Sequence, residues 1–242
     1  MKLLKALLAL CAALPLAAPM TALAQSWPAK PIRFVVPFPP GGSVDPLARL
    51  LAARVTEPLG QPIVVENRAG ASGSIGAAVV AKAPADGYTF LFVFDTHAVN
   101  PSLIPNMPFD TAKDLAPVML VGTAPMAIAT LPSKPYKTFD DVIRMAKAKP
   151  DTISYGSIGS GSLGHLTMTL LQESADFKVV HIPFAGGGPM TQNVLGGQVE
   201  LGIASVAVLA PQVKAGKLRA IAVTGDKRSG SMPDVPALAE AG

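Results

Sequence analysis

One cysteine, Cys11, is the only thiol in 242 residues. A single thiol excludes an intramolecular disulfide and any cysteine-built zinc or iron–sulfur site. Aromatic residues are only 5% and charged residues 15% of the chain. The basic residues are scattered, with no lysine/arginine stripe interleaved with aromatics, so the footprint of a nucleic-acid binder is missing. Also missing are a G-x-S-x-G nucleophile elbow, a G-K-[ST] phosphate loop and any H-E-x-x-H or other metal spacing among His97, His165 and His181. A Ser-His-Asp triad assembled from distant loops stays open, because geometry rather than order defines it. His165 reads equally as a packing residue or a ligand donor, and His181 as a structural strand residue.

What is present begins with an export signal. Lys2 and Lys5 precede an apolar run from Ala6 to Leu16 and a small-residue end at Ala22-Leu23-Ala24, which predicts cleavage between Ala24 and Gln25. Pro15 and Pro19 break the run, so it is a poor match to the roughly 20 apolar residues of a membrane-spanning helix. Acylation at Cys11 fits badly, because bulky Leu10 precedes it and the apolar run continues past it. Cleavage removes the cysteine and two of the 20 basic residues, leaving 18 against 16 acidic. Stability must then come from a core, which a chain that is 50% hydrophobic can build.

Beyond Pro31, short β-branched or aromatic runs alternate with helical patterns, the signature of repeated βα units and an α/β fold. Strands are predicted at Ile32–Val36, Ile63–Glu66, Tyr88–Phe94, Leu115–Val121, Met126–Leu131, Thr152–Tyr155, Lys178–Phe184, Val199–Ala204 and Leu218–Thr224. Asp45 is read as the cap of a helix opening at Pro46 and stopped by Pro58 and Gly60, and Thr138 with Asp141 as a capping box. The glycine-rich clusters fall in separate strand-rich segments, which predicts two facing sheets with a cleft between their strand-end loops. The polar stretch after Gly225 reads as the beginning of a further element, and a C-terminal truncation at Gly242 is expected.

Gly159 to Gly164 matches G-x-G-x-x-G after a predicted strand, but the next strand, Val179 to Phe184, supplies no acid for a ribose. A dinucleotide is therefore not expected, nor any other cofactor or metal. The same geometry suits a small carboxylate, with free helix-start amides and the Ser160 and Ser162 hydroxyls as donors. Gly41, Gly42 and Ser43 repeat that chemistry ahead of the first helix, where Pro39-Pro40 stiffens the loop entry.

WPAKPIRFVVPFPPGGSVDPLAR, VVENRAGASGSIGA, the turn Pro84 to Tyr88, HAVNPSL, YGSIGSGSLGHL, HIPFAGGGPM, LGGQVELG, GKLRAIAVT and PDVPALAEAG follow one another from Trp27 to Gly242. In that order they resemble the successive signatures of the Bug/TctC family, periplasmic solute receptors of tripartite tricarboxylate transporters. The resemblance implies a two-lobed, type II periplasmic-binding-protein fold of the Venus-flytrap kind, with a signal peptide at 1–24, lobe 1 at 25–124, lobe 2 at 125–226 and the start of a return to lobe 1 at 227–242. It implies a monomeric periplasmic protein, not an enzyme, that binds a small mono-, di- or tricarboxylate and delivers it to membrane permease subunits. A sensory receptor of the same fold is the alternative, ahead of an exported hydrolase. The ligand-binding set implied is Pro40, Gly41, Gly42, Ser43 and Asp45, then Asp95, Thr96, His97 and Asn100, then Gly159, Ser160, Gly161, Ser162 and His165, and finally Ala185, Gly186, Gly187 and Asn193. Two departures from the family pattern bear on the solute: Asn193 stands where an acid is usual, and Phe94-Asp95 where small hydroxyl residues are frequent.

Overall fold

A computed structural model describes residues 26–240. The signal segment, with its cleavage point at Ala24 and Gln25 and with Cys11, lies outside the described residues. Three strands, β1 (Ile32–Val36), β2 (Ile63–Asn67) and β3 (Thr89–Leu91), form a parallel sheet in the order β2-β1-β3. Parallel neighbours need crossovers, and helices α1 (Val44–Leu59) and α2 (Ser74–Ala81) supply them. Phe34 sits opposite Val65 and Phe90 and packs on Phe90 and Phe92 at ring distances of 5.8 and 4.7 Å. Helix α3 (Thr96–Leu103) follows β3.

The second lobe holds a five-stranded sheet in the order β6-β5-β7-β4-β8. Its strands are β4 (Met126–Thr130), β5 (Ser154–Ser157), β6 (Val180–Pro183), β7 (Leu201–Ser205) and β8 (Arg219–Val223). β5 runs parallel to β6 and β7, whereas β4 runs antiparallel to β7 and β8. Strand alternation divides β4 between two cores. Met126 and Ile128 join Tyr155, Met168 and Ile203, while Ala127 and Ala129 join Met190, Leu209 and Val223. Helices α4 (Phe139–Ala148), α5 (Leu163–Ala175), α6 (Gly187–Leu195) and α7 (Val206–Lys214) complete the α/β architecture. The capping box at Thr138 and Asp141 forms as read.

Four readings change. Tyr88–Phe94 contributes only three paired residues, and Leu115–Val121 is no strand. Val118, Met119 and Leu120 are 73, 71 and 79% exposed, because a strand exists only through pairing and no described strand pairs with this run. Helix α1 starts at Val44, so Asp45 lies inside it rather than capping it, and it runs through Pro58 to a left-handed Gly60. Residues 227–240 pack against the second lobe: Ala237 bridges to Val223, and Met232 and Val235 enter its core.

In each sheet the chain leaves a central strand, β1 or β5, to neighbours on both sides, which is where an α/β sheet opens a crevice at its strand C-termini. The loops that matter follow β1, β5, β6 and β7.

Candidate functional site

Three helices begin around one cleft. It is lined from the first lobe by Phe38, Gly42, Ser43, Val44 and Phe94, and from the second by Ile158, Gly186, Gly187, Ala204, Ser205 and Val208. It encloses about 330 Å³, its open mouth included. Gly187 is the meeting point: a methyl group there would lie 3.2 Å from both Val208 methyls and 3.6 Å from Gly42 Cα. The first-lobe loop comes closer still at Gly188, where a methyl would lie 3.0 Å from the Pro40 carbonyl oxygen. Larger residues would hold the lobes apart, which is the physical use of glycine here.

The starts of α1, α6 and α7, at Ser43, Gly186 and Ser205, carry no side-chain cap. Each therefore presents first-turn amides and the positive end of a helix dipole to the cleft. No charged side chain lines it. The arrangement can hold an anion through neutral donors, against apolar walls from Phe38, Phe94, Ile158 and Val208.

The first loop is held from behind. The Asp45 carboxylate accepts from Arg49 Nε at 3.1 Å and from Asn67 Nδ2 at 2.9 Å, and Asn67 Nδ2 also donates to the Phe38 carbonyl at 3.0 Å. Burial pushes the Asp45 carboxyl up, but the hydrogen bonds from Arg49 and Asn67 and the Arg49 charge outweigh it and leave the group below the usual carboxylate range. Asp45, predicted to touch ligand, faces these two partners and supports the loop instead.

The loop after β5 closes on itself. Ser162 is fully buried; its hydroxyl donates to the Gly159 carbonyl at 2.7 Å and accepts from the His165 amide at 3.3 Å, capping α5. The Gly161 amide donates to His165 Nδ1 at 3.1 Å. Ser160 is exposed, its carbonyl accepting from Ser72 Oγ at 3.0 Å. The next free amide of α5, at Leu163, donates across the lobes to Asp95. Burial raises the Asp95 carboxyl above its ordinary range despite backbone donors from Leu163 and Thr96. In the second predicted grip, Gly159 to His165, the Gly159, Gly161, Ser162, Leu163 and His165 amides and the Ser162 hydroxyl are thus engaged within the protein.

A serine–histidine pair does occur, with Ser157 Oγ 2.7 Å from His181 Nε2. Ser157 is fully buried, and the His181 ring stacks on Tyr155 and His165 rather than meeting a carboxylate, so both access and an orienting acid are missing for nucleophilic catalysis. Burial, and then the neighbouring His165, push the His181 pKa down to about 4.

Of the remaining candidates, Thr96, His97 and Asn100 line a shallow recess that shares the Phe38 and Phe94 walls with the cleft. Asn100 Nδ2 donates to the Ser72 carbonyl at 3.0 Å. Pro40, Gly41 and Ala185 are exposed residues of the two facing loops. Asn193 turns back onto its own helix, donating to the Pro189 carbonyl at 2.9 Å. Sequence reading missed Ser205 and the walls Phe38, Phe94, Ile158 and Val208. Ser205 carried a usable signal, since like Ser43 and Ser162 it stands at the junction preceding a helix. The walls carried none, as isolated apolar residues at strand ends look like core.

Residues 47–242 match the family described as the tripartite tricarboxylate transporter family receptor. The protein BugT of Bordetella pertussis is 40% identical over 94% of this chain and 70% of its own length. The chain spans 65% of two other curated relatives, from Pseudomonas and Agrobacterium vitis. An R. palustris protein solved with adipate is 38% identical at a TM-score of 0.85, over 89% of this chain and 73% of that one. MatC from Rhodopseudomonas palustris, solved with bound malate, is 32% identical at a TM-score of 0.82, over 89% and 74%.

Proposed function

Because the chain belongs to the tripartite tricarboxylate transporter receptor family, we propose that it captures a small carboxylate between its lobes in the periplasm and delivers it to a membrane transporter of the tripartite type. The observation that carries this reading is the meeting of three uncapped helix starts in a cleft without charged side chains. Amide donors and dipole ends of that sign favour an anion. Each hydrogen bond to a carboxylate contributes about 1.5–3 kcal/mol. The two grips are Gly41 to Ser43 on lobe 1 and Gly186 to Gly187 on lobe 2, with Thr96, His97 and Asn100 beside them. In this reading the loop 159–165 shapes the second lobe rather than touching the ligand. The lobes divide at residues 124 and 125, just ahead of β4. Binding proceeds without turnover, and the adipate and malate held by relatives support the ligand class.

Calorimetry on ligand-stripped protein tests this with a series of carboxylates, a neutral sugar and an amine. The best carboxylate should weaken about tenfold with Ser43→Ala and less than threefold with Ser162→Ala. Tightest binding of a sugar or an amine, or no effect of Ser43→Ala, would defeat the reading.

A further inference from the structure

Ser205 is the polar residue of the second-lobe wall whose hydroxyl has no partner. It is 2% exposed, its Oγ is buried without a hydrogen bond, and it lines the cleft. The local fold explains why that hydroxyl is free. Strand β7 pairs Ser205 with Met126 across the sheet, and the Val206 amide then donates to the Pro125 carbonyl at 2.9 Å, turning the chain into α7. Ser205 sits in the N-cap position with φ −56° and ψ 145°, yet its side chain makes no capping bond. A buried serine at a helix start ordinarily satisfies itself, as Ser162 does on α5. Around Ser205 the walls are apolar: Ile158, Ala204, Val208 and Phe94.

We infer that Ser205, with the first turn of α7, makes a third contact on the ligand, separate from the two glycine grips, and selects solutes whose far end carries a second anionic oxygen group. This rests on the reading of the cleft as a carboxylate site and names what distinguishes one carboxylate from another there. An alkyl end would find apolar walls but leave the Ser205 hydroxyl and the Ala207 and Val208 amides of α7 unmatched, the Val206 amide being held by Pro125. A second carboxylate would accept from both, on the positive end of the α7 dipole. Discrimination by a buried hydrogen-bonding group exceeds what added methylene contact offers, because the wrong ligand leaves that group unpaired.

The experiment uses matched pairs of equal chain length, adipate with hexanoate and succinate with butyrate, titrated calorimetrically into wild type, Ser205→Ala, Ser205→Thr and Ser43→Ala. In wild type the better-bound diacid should exceed its monoacid at least tenfold. Ser205→Ala should weaken that diacid about tenfold, leave the monoacid within twofold, and so close most of the gap. Ser205→Thr keeps a hydroxyl and should keep the discrimination, whereas Ser43→Ala should weaken both acids of a pair alike. Equal losses for diacid and monoacid in Ser205→Ala, or no loss for either, with an unchanged thermal midpoint, would overturn the role of Ser205 and leave the carboxylate site standing. Failure of all four acids to bind wild type would remove the carboxylate reading and this inference with it.

Discussion

The two lobes bring the same loop chemistry to the cleft from unequal foundations. In the first, a three-stranded sheet leaves β2 and β3 half-covered, with Leu50, Val64, Ile75 and Val93 facing solvent. In the second, β4 and β7 are buried along their whole length between two apolar clusters. The lesson extends to the serines that precede helices. Ser162 closes its own loop, while Ser43 and Ser205 leave theirs open to the cleft. A glycine–serine turn before a helix is thus an anion site only where the protein has not already supplied the acceptor.

The largest expected effect tests the inequality of the cores. Ile128→Ala, in a fully buried interior strand of the second sheet, should cost about 2–5 kcal/mol in chemical denaturation, whereas Ile63→Ala in half-covered β2 should cost about 1 kcal/mol. Equal losses would erase the contrast. A smaller effect sharpens the approach of the lobes. Gly188→Ala replaces a helical glycine and should hold or raise the thermal midpoint. Its methyl would crowd Pro40, so affinity for the best carboxylate should fall about tenfold, or about 1.4 kcal/mol. An unchanged Kd would show that the loops need not meet.

Next comes pH. The His181 pKa of about 4 in the fold lies below the ordinary 6.5, so as pH falls from 6.5 the unfolded chain takes up the proton first and stability declines down to about pH 4. With the ring's partial exposure allowed for, the decline between pH 7 and pH 5 should be about 1 kcal/mol, or about 2–4 °C in midpoint. His181→Asn should flatten that slope more than His97→Asn, the first-lobe counterpart, also shifted down by burial. A slope that persists in His181→Asn would locate the acid sensitivity elsewhere. The smallest effect concerns the support behind the first grip. Arg49→Lys keeps the charge but loses the fork on Asp45, and should lower stability only slightly and carboxylate affinity about threefold. Identical titrations of variant and wild type would show that the Asp45 cluster does not position the loop.

Alternation and caps by themselves determined most of the secondary structure and the α/β class. β1 was legible as a buried apolar run, and α4 through Thr138 and Asp141, because hydrophobic period and capping are local properties of a chain. The ordered motifs determined the family, and the glycine loops pointed to an anion between two lobes. Only the tertiary structure decided which loops remain open. Asp95 reaches Leu163 over a separation of 68 residues, Ser72 reaches Ser160 over 88, and Asn67 reaches Asp45 over 22. Each of these long-range partners engages a group that the local pattern had left free. Pairing likewise decided against a strand at Leu115–Val121, whose apolar run met no partner strand among the described residues. Whether a donor is engaged depends on what folds against it, and so Ser162 and Ser205, alike in their local pattern, came out as a cap and an open hydroxyl.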